Sequence, residues 1–196
     1  MELLILAKSD KKCNNGTKGF CVAGITEDGK WIRLVSDESG DAIADADCRK
    51  INVGNSLLID DLKIAKCHLD FQPENYLVND FREIKILSNS KLPPKASDDP
   101  YIFLNDRHFL YTHEMKIVGK SLLLADVQNF RIYRDERGKH KASFIYNNAS
   151  YEKMSITDPN YYREYSIERA CIVVSLPPEP WKDKFYFKFI AAINPI

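Results

Sequence analysis

The chain has 196 residues, 44% of them hydrophobic and 11% aromatic, a composition that supports a packed core and excludes disorder along its whole length. Its 28 basic residues balance 28 acidic ones, which excludes a protein that coats duplex nucleic acid through bulk charge and leaves only a local basic groove open. The apolar runs at residues 3–7, 122–125 and 189–193 fall far short of the ~20 residues that a membrane-spanning helix needs.

In chain order, residues 2–7 read as a buried strand. Glu2 and the absence of a basic leader and of a small-residue cleavage site argue against an export signal. A polar loop, residues 8–18, follows, with Lys8, Lys11, Lys12 and Lys18 around Gly16. Residues 20–25 and 30–35 alternate in polarity on either side of Asp28-Gly29, a strong hairpin signal. In the second arm Trp31, Arg33 and Val35 share one face, Ile32 and Leu34 the other. Residues 36–52 read as a loop with one helical turn, 53–66 as further strand, and 71–87 fit neither period.

Residues 88–100 hold three prolines among serines and aspartates and read as a linker. The expected domains are therefore residues 1–90 and 101–196, joined by residues 91–100. The second half opens with an aromatic-rich stretch, 101–115, read as a short helix. Residues 121–134 form a long strand, Gly138 supplies a positive-φ turn, and 141–147 return. Asp158-Pro159 marks a helix start. The chain closes with a strand at 170–176, a proline break at 177–180, and one last strand over 185–193.

The five cysteines, Cys13, Cys21, Cys48, Cys67 and Cys171, are scattered and form no C-x-x-C pair, so the expected setting is a reducing, cytoplasmic one without disulfides. Short strands at regular spacing with polar turns give the fold class: mainly β, as two small barrel-like lobes packed together with a few short helices.

The run Phe20-Cys21-Val22-Ala23-Gly24-Ile25 followed by Trp31-Ile32-Arg33-Leu34-Val35-Ser36 resembles the opening of the dual OB-containing domain family. Ile156-Thr157-Asp158-Pro159, Val174-Ser175-Leu176 and Phe187-Lys188-Phe189-Ile190-Ala191-Ala192-Ile193 resemble its closing pattern. The resemblance implies two OB-type barrels and a nucleic-acid-binding role in prokaryotic cells; it implies no known reaction.

Two candidate surfaces follow. Trp31 beside Arg33 on one strand face pairs a stacking ring with a phosphate-binding cation; the alternative is a core tryptophan and an internal ion pair. The hairpin carrying Arg131, Tyr133, Arg134, Arg137, Lys139 and Lys141 is the densest basic stretch with an aromatic in it, and its alternative is a solvated turn. The lysine-rich loop lacks Walker spacing and reads as solvated, and Thr157 or Asp158 reads as a cap. His68, His108, His113 and His140 show no zincin spacing, and Cys67-His68 lacks further ligands, so no metal, cofactor or catalytic set is expected. The leading expectation is a non-enzymatic binder of single-stranded DNA or RNA. The alternatives are a protein-interaction or regulatory module, and a small-ligand or nucleotide sensor or hydrolase.

Overall fold

The computed structural model describes residues 1–59, 62–64, 72–78, 80–81, 84–87 and 95–196. Cys67, His68, residues 88–94 of the expected linker and parts of the 53–66 and 71–87 runs lie outside the described residues. The chain divides into two compact units, Met1–Pro94 and Lys95–Ile196. Among the described residues no helix is long and apolar enough to cross a membrane.

The first unit is an antiparallel meander, β1 (Glu2–Lys12), β2 (Lys18–Ile25) and β3 (Trp31–Val35). β1 runs five residues past the expected strand end, because residues 7–12 keep pairing with 18–23 on β2 and alternate enough to bury Ser9. The polar loop shrinks to residues 13–17. Gly24 stands opposite Ile5, where a Cβ would come within 2.3 Å of the Leu4 carbonyl oxygen, so only glycine permits this approach. After β4 (Ile43–Ala44), α1 (Asp45–Cys48) is the anticipated helical turn. It is followed by β5 (Ser56–Leu58), β6 (Leu62–Ile64), β7 (Asn75–Val78) and β8 (Lys85–Leu87). The sheet order is β6-β7-β3-β2-β1-β5-β8, with β4 on β2, and β3 pairs with β7 in parallel. Ile5, Val22, Leu34, Ile43 and Leu57 centre its core.

The second unit holds a two-stranded sheet and a closed barrel. Residues 101–115 do not form the expected helix: they give bends, the strand β9 (Phe109–Tyr111) and a 3₁₀ turn at Glu114–Ile117. The alternation of Phe109, Leu110 and Tyr111 is a strand period, and Leu110 is fully buried while Tyr111 is exposed. The barrel strands are β10 (Leu122–Arg134), β11 (His140–Tyr146), β12 (Ala149–Ile156), β13 (Tyr165–Ser175) and, after β14 (Phe185–Phe187), β15 (Phe189–Pro195). They close in the order β10-β11-β12-β15-β13 and back to β10, with β12 and β15 parallel. Asp158 caps a 3₁₀ turn, Pro159–Tyr161, in place of the expected helix start, and its carboxylate accepts N–H groups from Asn160 and Ile193, both at 3.0 Å.

β10 changes character along its length. Residues 122–125 are buried on both faces, while from Arg131 onward the strand alternates between interior and exterior. Ring packing fills the barrel: Phe130 stacks on Phe144 at 6.1 Å and Phe144 on Tyr151 at 5.2 Å. The buried tyrosine hydroxyls bind the segment ahead of the barrel. Tyr146 donates to the Asp99 carbonyl at 2.7 Å, and Tyr151 donates to the Asn105 carbonyl at 3.1 Å while accepting the Ile102 N–H at 2.9 Å. The expected final strand is broken at Lys188, which lies buried between β14 and β15.

Candidate nucleic-acid interface

The candidate residues fall in two separate groups. Trp31 and Arg33 belong to β3 of the first unit. Trp31 is half-buried opposite Ile25. Arg33 is only 7% exposed, donates to Asn75 Oδ1 at 3.0 Å and lies 3.7 Å from the Glu74 carboxylate. Its guanidinium is thus engaged inside the unit. Among the neighbouring lysines, Lys8 donates to the Cys48 and Ile51 carbonyls at 3.0 and 2.9 Å, satisfying the open end of α1.

The other six residues come together on β10, β11 and the turn between them. Directly opposed residues share a face. Ile132, Ala142 and Met154 form a buried row across β10, β11 and β12, and the next row, Tyr133, Lys141 and Ser155, therefore faces outward. Lys141 Nζ donates to Ser155 Oγ at 2.7 Å, and the Tyr133 hydroxyl accepts the Lys153 N–H at 3.2 Å. Burial lowers the Lys141 pKa from the ordinary lysine value, with Asp135 opposing and Lys139 adding to the shift. Arg131, Arg134, Arg137 and Lys139 are all exposed.

The turn is built so that its cations stay outside. Asp135 accepts N–H groups from Arg137 at 3.0 Å and Lys139 at 2.8 Å, and Gly138 takes φ +73. These N–H bonds, first that of Lys139, hold the Asp135 carboxyl below its ordinary value. The tip carboxylate organises the turn and leaves the arginine and lysine side chains to solvent.

Sequence reasoning missed Lys153. A register slip between β11 and β12 places Glu152 and Lys153 in a bulge, with Lys153 at φ +60, so both side chains emerge on the outer surface. A bulge leaves no signal in the alternation of residue types. Sequence reasoning also missed β9 and its pairing with β14, the first three residues of the expected final strand, which sets Phe109 against Phe187 and Tyr111 against Phe185. Arg107 lies over Phe109 and Tyr111, 5.2 and 4.7 Å from the ring centroids, and Trp181 stands beside Phe187 at 5.9 Å. The signal was present as alternating aromatics at Phe185 and Phe187 and again at Phe109 and Tyr111, but the partner strands are some 70 residues apart. His108, at the edge of this sheet, has its pKa lowered by burial first and then by the charges of Lys141, Lys153 and Lys188. The small sheet and the outer barrel face thus share one electrostatic neighbourhood.

Among the described residues no three His, Cys, Asp or Glu side chains converge in a way that could hold a metal ion. A family model described as a dual OB-containing domain matches residues 1–193. No curated protein sequence matches the chain.

Proposed function

The chain belongs to the dual OB-containing domain family, and we propose that it binds single-stranded DNA or RNA without catalysing a reaction. The binding surface is the outer face of β10, β11 and β12 with the turn at residues 135–139. The observation that carries this reading is the outward row Tyr133, Lys141 and Ser155, with Arg131 and Lys153 on the same outer surface and Arg134, Arg137 and Lys139 exposed at the strand end and turn beside it. In closed five-stranded barrels of this order, the face of the second and third strands and the loop after the first are where oligonucleotides lie. Here those are β11, β12 and the basic turn. Arg131 and Arg134 supply phosphate contacts, and Tyr133 supplies a ring for stacking. Trp31 and Arg33 are left out of the surface, since Arg33 is engaged by Glu74 and Asn75. The scattered cysteines of the sequence suit a reducing, cytoplasmic setting.

A neutral chain binds through a local patch, so affinity falls steeply with salt. Fluorescence anisotropy with labelled single-stranded DNA, single-stranded RNA and duplex, at low and moderate salt, tests this. The expected result is salt-dependent binding of single strands that is lost in Arg131→Ala/Arg134→Ala. A folded protein that binds none of the probes overturns the reading.

A protein-interaction module has one observation in its favour: a groove of about 300 Å³ lined by Tyr101, Leu104 and Ile117, with Ile117 73% exposed. Its bare apolar rim calls for an apolar partner and not for a polyanion.

A further inference from the structure

The sheet of β9 and β14 has two unlike faces. Leu110 and Tyr186, directly opposed, are buried. The other face carries Phe109, Tyr111, Phe185 and Phe187. Phe109 meets Phe185 edge-on at 5.0 Å, Tyr111 lies 5.5 Å from Phe185, and Trp181 stacks on Phe185 at 6.4 Å. His113 stacks on Tyr111 at 5.6 Å and His108 on Phe187 at 5.9 Å, extending the surface at both ends. If these rings were only a small core they would cover one another. Instead Trp181 is 52% and Tyr111 39% exposed. A strand pair of three residues each is not stable in water by itself, so the buried face holds the sheet and the open face is free for a ligand.

We infer that this aromatic face is a second base-stacking platform, which takes unpaired bases of the same strand that crosses the barrel. The inference rests on the reading above and extends it to residues that reading does not use. Two observations favour a nucleic acid over an apolar peptide. The first is charge: Lys182 Nζ lies 4.5 Å from the Trp181 ring centroid, and Arg107 caps Phe109 and Tyr111 while ion-paired to Glu114. A base that stacks on these rings takes the place of the cations at the ring face and leaves their charge beside its phosphate. The second is continuity. β14 runs through Lys188 into β15, which pairs with β12 at Ser155, so the platform is covalently one residue from the barrel's outer row. Stacking on open rings tolerates any base, because every base has a π-face.

Trp31 and Trp181 are the two tryptophans of the chain, so Trp31→Phe leaves Trp181 as the sole indole reporter. This full-length variant is titrated with oligo(dT) and oligo(rU) of about 15 nucleotides, a length within the span of one or two OB barrels. Trp181 emission is followed alongside anisotropy of the labelled strand. The expected result is quenching that saturates together with anisotropy. Trp181→Ala and Tyr111→Ala should each weaken binding about tenfold, with the slope against salt unchanged, since a stacking contact and not a phosphate contact is removed. Both side chains are exposed, and an unchanged thermal midpoint checks the fold; if Tyr111→Ala shifts it, the emission readout and Trp181→Ala decide. Anisotropy binding with constant Trp181 emission and wild-type affinity in Trp181→Ala overturns the platform, leaves the barrel reading standing and gives the face to a protein partner. Absence of binding to every oligonucleotide overturns both.

Discussion

Lys188 is fully buried, and its ammonium donates to the Asn105 carbonyl at 2.7 Å and to Asn105 Oδ1 at 3.0 Å, with no carboxylate bonded to it among the described residues. Burial, then the charge of Arg107, pulls its pKa down to about 7, while Glu114 and Asp106 pull the other way. An unfolded lysine keeps its proton to near 10.5. Between those values the unfolded chain binds more protons than the folded one, so stability rises with pH across the window and is lowest below it. The difference is on the order of 5 kcal/mol for the whole interval. Lys141, also lowered, adds in the same direction. Urea unfolding of the full chain from pH 6.5 to 9.5 should show this rise, and Lys188→Met should flatten most of it; a flat wild-type profile would refute the assignment. Tyr151, pushed up to about 12 by burial, acts with the opposite sign and only above pH 10. Arg33 makes a second residue-scale case. Arg33→Ala leaves Glu74 buried without this cation and should cost about 3 kcal/mol in unfolding experiments. Oligonucleotide affinity should stay unchanged, because the guanidinium faces inward.

At the scale of elements, the hairpin of β10 and β11 depends on Asp135 as much as on its cations. Asp135→Ala removes the acceptor for two N–H groups and should cost about 1 kcal/mol. It should also weaken oligonucleotide binding a few-fold, by loosening Arg137 and Lys139 without removing either. Equal affinity by anisotropy would mean that the tip cations act as diffuse charge and need no fixed placement. This hairpin was legible in the sequence because a turn with glycine between alternating runs is a local signal, and Gly138 at φ +73 is where that signal lay. What was not legible depends on residues distant in the chain. The expected strand over 185–193 is two strands because Lys188 turns inward to reach Asn105. Residues 109–111 make a strand only because Phe185, Tyr186 and Phe187 arrive to pair with them. The bulge at Lys153 follows from how β11 and β12 meet, and neither strand announces it alone. For the same reason the sequence could offer an internal ion pair as the alternative for Arg33 but could not name Glu74 and Asn75 as its partners.

At the scale of the whole molecule, one arrangement occurs twice. In each unit three strands meander and the third pairs in parallel with a later one, β3 with β7 and β12 with β15. These are the parallel pairs among the described residues. A repeat of topology without a repeat of sequence asks only that the inward positions of the strands stay apolar, while the outward ones are free to diverge. The second unit's β10–β11 face gathers cations, while Arg33 on β3 of the first unit is turned to internal pairing. Under the proposed function, that asymmetry puts the binding surface on the second unit. The second unit also has the means to fold by itself, since its barrel closes without an open edge and its core runs continuously through residues 122–125, 170–174 and 190–193. Residues 95–196 produced alone should therefore unfold cooperatively and bind single-stranded oligonucleotide within a few-fold of the full chain. Binding should be lost in Arg131→Ala/Arg134→Ala, and residues 1–94 alone should bind nothing at the same salt. If the isolated second unit folds but loses affinity by a hundredfold or more, the first unit contributes contacts of its own, and its exposed lysines become the residues to substitute next.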